Sequence, residues 1–138
     1  MRNAALLLAA LLLAGCATTT SIPAEQRTRT YDAPKNEVFS AVVASFTEYG
    51  FGIQRSNQSG GIITTSYKTS SGLQAALTGQ SRLRYNAVVR GDSSRSRVRL
   101  TITAQERSLG GWQAMSMTSG DAEGMYKKAF KAIEKNVR

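Results

Sequence analysis

The sequence predicts an α+β fold, a two-layer sandwich in which an antiparallel sheet of about four to six strands carries two helices on one face. Three observations predict it. Two stretches, 38–49 and 125–133, place apolar residues at the spacing of a helix. Several runs between them alternate apolar and polar residues, which is the period of a strand. Short turns rich in Gly, Asn and Ser separate those runs, so neighbouring strands pair antiparallel.

Thr28-Arg29-Thr30-Tyr31 alternates and predicts a short first strand. Asp32-Ala33-Pro34 reads as a helix start, with Asp32 as the cap, Pro34 in the first turn and Glu37 beside the positive helix end. Val38, Phe39, Val42, Val43, Phe46 and Tyr49 form one apolar stripe, and Gly50 ends the helix. Phe51–Arg55 predicts a strand with Phe51 and Ile53 inward. The turn at 57–61 joins it to a β-branched strand over Ile62–Lys68. A longer connection spans 69–81, with an apolar middle from Leu73 to Leu77. Arg82–Arg90 and Arg97–Gln105 are the two best strands, joined by the turn that starts at Gly91. Trp112–Met117 predicts a last short strand. Thr118 and Ser119 cap a final helix with Asp121 and Glu123 in its first turn. Met125, Tyr126, Ala129, Phe130 and Ile133 form its inner stripe, and Lys127, Lys128, Lys131 and Lys135 face outward.

A period of two divides the two best strands into unlike faces. Leu83, Tyr85, Ala87 and Val89, with Val98, Leu100, Ile102 and Ala104, should meet the helices. Arg82, Arg84, Asn86 and Arg90, with Arg97, Arg99, Thr101 and Thr103, should form the other face. Arginine suits bidentate capture of carboxylate and phosphate. Arg82, Arg84, Arg90, Arg97 and Arg99 are therefore candidates for binding an anion, although one face of an antiparallel sheet is often simply solvated. Leu73 and Leu77 mark a candidate docking loop, unless that loop folds back on the core. Trp112, the only tryptophan, is either core or an interface anchor, and core is the preferred reading.

The N-terminus carries a separate signal. Arg2 precedes an apolar run from Ala4 to Ala14, too short to span a bilayer and right for a signal peptide. Leu13-Ala14-Gly15-Cys16 resembles the lipobox of bacterial lipoproteins. The resemblance implies cleavage before Cys16 and a thiol that carries diacylglycerol, with acyl chains of the palmitate type as a membrane anchor. Ala17, where inner-membrane retention uses Asp, implies the inner leaflet of the outer membrane, with the protein facing the periplasm. The expected organisation is a signal peptide at 1–15, a lipidated tether at 16–27 and a single domain at 28–138. The tether reaches roughly 20 Å.

Charge and chemistry narrow the function. Without Arg2 the chain has seventeen Lys and Arg against nine Asp and Glu. A basic chain often binds nucleic acid, but export to the periplasm argues against it and leaves anionic envelope ligands or acidic protein surfaces. There is no histidine, which removes His-based triads, imidazole metal ligands and a His general base. Cys16 is the one cysteine and is committed to lipid. No carboxylate pair, metal pattern or phosphate loop stands out. No catalytic residue, metal or cofactor is expected, and the chain reads as a non-enzyme.

Gly50-Phe51-Gly52-Ile53, followed by Gly60-Gly61-Ile62-Ile63, a long alternating strand and a closing helix, is similar to BamC-like lipoprotein domains of the helix-grip type. The similarity covers roughly 28–136 and has one such domain where the relative has two. It implies an accessory or scaffold subunit of a cell-envelope complex. The alternative is a binder of lipopolysaccharide or peptidoglycan through the basic sheet face, and a histidine-free hydrolase is a third reading.

Overall fold

The computed structural model describes residues 22–138. In chain order they form β1 (Thr28–Tyr31), α1 (Lys35–Glu48), β2 (Ile53–Asn57), β3 (Ile62–Thr65), β4 (Lys68–Thr69), α2 (Gly72–Thr78), β5 (Ser81–Gly91), β6 (Ser96–Ser108), β7 (Gly111–Ala114) and α3 (Ser119–Asn136). All strand pairs are antiparallel, in the order β1-β6-β5-β3-β2, with β4 also beside β5 and β7 beside β6. The fold is α+β, with α1 and α3 packed on one face of the sheet. Cys16 and the signal region before it lie outside the described residues.

The long β5–β6 hairpin is the spine. Asp92 shapes its turn: Oδ1 accepts from the Ser94 amide at 2.8 Å, the Ser94 hydroxyl at 2.9 Å and the Arg95 amide at 3.0 Å. Those donors hold the Asp92 carboxyl below its ordinary pKa. The inward positions of the spine are the apolar ones. Ala87, Val89, Val98 and Leu100 are fully buried, and Leu83, Tyr85 and Ile102 are half-buried against the same cluster. α1 contributes Val38, Phe39, Val42 and Phe46 to that cluster, and α3 contributes Tyr126, Phe130 and Ile133. The helices touch each other where Ser45, buried, donates to the Ala132 carbonyl at 3.1 Å and accepts from Asn136 at 3.1 Å. Burial pushes the phenols of Tyr31 and Tyr85 up, because the charged form is disfavoured there.

Several elements differ from expectation. Thr118 caps α3 as anticipated, accepting from the Asp121 amide at 3.1 Å. Asp32 does not cap α1; its N-cap is Pro34, and Asp32 instead pairs with Arg95 at 3.1 Å. The Lys35 amide is satisfied by the Asp92 carbonyl at 2.9 Å, so a loop does the work a side-chain cap would do. Tyr49 is exposed because α1 ends at Glu48; Tyr49 is its C-cap, and Gly50, with φ +78°, turns the chain after it. The 69–81 connection holds the short helix α2. Leu77 on it is exposed and packs on nothing in the core, while the side chain of Leu73 lies outside the described residues.

The strand expected over Ile62–Lys68 is broken in two. β3 pairs Ile63 with Ala87, and β4 pairs Lys68 with Leu83, so one extra residue lies on the β3–β4 side. Such a bulge re-aims side chains. Thr65 still points inward, and its hydroxyl accepts from the Tyr85 amide at 2.9 Å. Beyond it the parity inverts, so Tyr67 emerges on the helix-free face.

Candidate functional site

The helix-free face follows from register. Residues directly opposite each other share a face. Arg90 opposes Arg97, which opposes Thr30; Val88 opposes Arg99, which opposes Thr28; Arg84 opposes Thr103; Arg82 opposes Gln105. On the flanks Arg55 opposes Thr64, and Trp112 opposes Arg107. The strand positions of this face thus hold seven arginines (55, 82, 84, 90, 97, 99 and 107) and no Asp or Glu. All five arginines expected from the sequence lie on it.

They do not form one cluster. Arg90 and Arg97 sit at the turn end, both exposed, and Arg99 follows one row on. Two like charges directly opposite repel. Arg90 is drawn aside by donating to the Gly60 carbonyl at 2.8 Å. Arg82 and Arg84 lie toward the other end of the spine and are half-buried. There the geometry changes character.

Arg82 is held between two rings, 4.1 Å from the Tyr67 centroid and 4.3 Å from that of Trp112. Arg84 also lies over Tyr67, at 4.7 Å, and Arg107 lies 5.6 Å from Trp112. The contacts link Arg84 to Tyr67, Tyr67 to Arg82, Arg82 to Trp112 and Trp112 to Arg107, so cations and rings alternate along the network. A guanidinium within about 6 Å of a ring centroid is attracted by the ring quadrupole. Gln105 fixes Arg82 further, accepting from its Nε at 2.8 Å. The Nε of Arg84 is buried with no hydrogen-bond partner. A buried donor left unpaired is costly, so this end of the face is short of acceptors.

Trp112 is therefore not core. It is half-buried on the open face, and its partners are arginines. The preference for core failed because β7 adds a strand beside β6 with its odd partner facing outward. Arg107 and Tyr67 were not among the sequence candidates, and Trp112 was one only as an interface anchor, the less favoured of its two readings. Arg107 carries the parity of Arg97 and Arg99 and was missed because β6 runs to Ser108 rather than ending near Gln105. Trp112 follows from Arg107 once the β6–β7 hairpin is known. Tyr67 had no local signal, since strict alternation from Ile63 places it inside.

Among the described residues no group of three or more His, Cys, Asp and Glu could hold a metal ion. No described helix is long and apolar enough to cross a membrane. The arrangement offers donors, cationic charge and ring faces.

No protein-family model matches the chain, and no curated protein matches it. Solved structures do. A TBP-like protein from Parabacteroides distasonis aligns with a TM-score of 0.44 and 15% identity, over 79% of this chain and 92% of that one. A DUF4468 family protein from Bacteroides ovatus aligns with a TM-score of 0.42 and 12% identity, over 85% of this chain and 86% of that one.

Proposed function

We propose that this chain is a lipid-anchored, non-catalytic accessory subunit of a cell-envelope complex, docking an acidic surface of a protein partner on its open sheet face. The observation that carries the reading is the alternating stack of Arg84, Tyr67, Arg82, Trp112 and Arg107 on a face without carboxylates. Tyr, Trp and Arg are the residues that dominate binding energy at protein interfaces. Here they are held in place before any partner arrives, which lowers the ordering cost of association. The lipobox-like Leu13-Ala14-Gly15-Cys16 supports an anchor on Cys16, and Ala17 supports the outer membrane, with the domain in the periplasm.

The size of the face bears on affinity. Arg82 to Arg90 spans eight strand steps, roughly 27 Å, and five strands side by side span roughly 19 Å. That is on the order of 500 Å², below the ~800 Å² each partner contributes to a standard interface. The contact is weak in free solution and is strengthened by a tether that holds both partners at one membrane.

The test is crosslinked capture of the full-length lipidated protein from its native envelope, alongside a variant with Arg82→Ser and Trp112→Ala. One or two envelope proteins recovered in fixed ratio, and lost with the variant, support the reading. Capture that the variant leaves unchanged sinks it. One observation favours a second reading: seven arginines and no Asp or Glu at the strand positions of this face suit an anionic envelope ligand such as a lipopolysaccharide phosphate or a peptidoglycan carboxylate. In that case the wild type retains lipopolysaccharide or muropeptides and no protein, and retention falls steeply as salt rises.

A further inference from the structure

A second site lies on the opposite side of the sheet. Beyond the C-terminal end of α1 the helix layer leaves a cavity of about 460 Å³ between α1, α3, β4 and β5. Small-molecule sites span roughly 300–1,000 Å³. One wall is aromatic: Tyr85 stacks on Phe46 at 5.1 Å and meets the edge of Phe51 at 4.8 Å. Met125 and Ala129 of α3 form the facing wall. Both are half-buried.

The charge of the lining is one-sided. Lys68 and Lys128 border the cavity, and no Asp or Glu lines it; the Arg82 guanidinium is turned to the other face, onto Tyr67 and Trp112. Lys68 is positioned by donating to the Tyr49 carbonyl, with its ammonium 5.3 Å from the Phe51 ring centroid. Both lysines are exposed, and neither is in an ion pair among the described residues, where the two pairs are Arg95–Asp32 and Lys127–Glu123. A chamber with an aromatic wall, Thr69, Ser70 and Ser81 at its β4–β5 side and a cationic mouth fits an amphiphile whose body is apolar and whose head is anionic. A neutral apolar molecule would leave the lysines unused. A free inorganic anion would leave the aromatic wall in contact with nothing.

We infer that this cavity is a binding site for a single-chain carboxylate amphiphile, a fatty acid, with its chain along Phe46, Phe51 and Tyr85 and its carboxylate at Lys68 and Lys128. This site is separate from the arginine–aromatic face and stands or falls independently of it.

The experiment is isothermal titration of sodium decanoate and, in parallel, decanol. The protein is the full chain carrying Cys16→Ser, so that it holds no acyl group of its own. Decanoate is expected to bind saturably at one site, with decanol at least ~10-fold weaker, since the carboxylate makes two charge-assisted contacts, at Lys68 and Lys128, each about twice as strong as a neutral one. Lys68→Gln with Lys128→Gln weakens decanoate by roughly 10-fold and leaves decanol unchanged. Ala129→Phe fills the chamber and removes binding of both. That variant keeps the same N-terminal segment, so whatever binding it retains is not in the cavity, and its circular dichroism checks that it folds. No saturable heat with decanoate, binding that Ala129→Phe leaves intact in a folded protein, or lysine variants that bind decanoate like the wild type would each overturn the assignment.

Discussion

Arg82→Ala and Trp112→Ala, made singly and together, test whether the stack on the open face is an interacting unit. Arg82 touches two rings, at 4.1 Å and 4.3 Å, and donates Nε to Gln105 at 2.8 Å. Each ring contact of a half-exposed guanidinium contributes about 0.5–1 kcal/mol. The hydrogen bond adds about 1 kcal/mol. Arg82→Ala alone should therefore cost about 2–3 kcal/mol in the wild-type background. In the Trp112→Ala background one ring contact is already gone, so the same change should cost about 0.5–1 kcal/mol less. Urea denaturation of the four proteins gives the coupling from the shifts in midpoint. Additivity within about 0.3 kcal/mol would show that ring and guanidinium are neighbours without interaction, and the preorganised face would go with it.

Phe130 is 1% exposed with the Arg29 guanidinium 4.9 Å above its ring, and Phe130→Ala should lower stability by about 3–5 kcal/mol in urea. Gly61 and Gly79 both have positive φ, but only at Gly61 does an added Cβ meet backbone, 2.0 Å from the Val89 carbonyl oxygen. Gly79→Ala should cost about 1–3 kcal/mol by strain alone, and Gly61→Ala should cost more in the same melt. Asp92 has a depressed pKa, so it stabilises the fold above its ordinary value of 3.8 and loses that contribution as pH falls through the folded value. Asp92→Asn should flatten the acid limb of a pH–stability profile, and an unchanged limb would refute the role. Amides of β5 near Val89 should exchange hydrogen only through global opening, while those near Leu83 exchange through local opening; equal protection along the strand would contradict this.

Much of this was legible in the residues. The α1 and α3 stripes gave both helices, since Val38, Val42, Phe130 and Ile133 are buried where helical spacing put them. The division of β5 and β6 into apolar and basic faces held along the whole hairpin, because a period of two survives wherever the ladder is regular. Prediction failed where regularity fails. One extra residue between Thr65 and Lys68 moves Tyr67 to the opposite face, and nothing local in Thr-Ser-Tyr-Lys announces it. Asp32 had the right chemistry for a cap and was displaced by a loop carbonyl 60 residues away in sequence, the Asp92 oxygen that takes the Lys35 amide. The cavity had no sequence signal of its own, since its walls are residues that read as ordinary core.

Its position can nonetheless be derived from lengths. α1 has 14 residues, about 21 Å of helix, and starts beside the hairpin turn, where Lys35 meets Asp92. β5 has 11 residues and β6 has 13, about 36–43 Å of strand. A helix that starts at the turn therefore runs out near the middle of the hairpin. α1 does so at Phe46 and Tyr49, against Tyr85 and Leu83. α3, with 18 residues, covers about 27 Å from the other direction and reaches β6 at Ile102, whose amide donates to the Tyr126 hydroxyl, leaving the β5 side beyond α1 uncovered. The same shortfall explains the other face. The added strands β4 and β7 widen the ribbon at this far end, and they carry or flank the rings that Arg82 needs. A hairpin longer than its helices thus yields two features at one end of the molecule: a chamber beneath the sheet, and an arginine–aromatic stack above it, with Arg82 at the border of both.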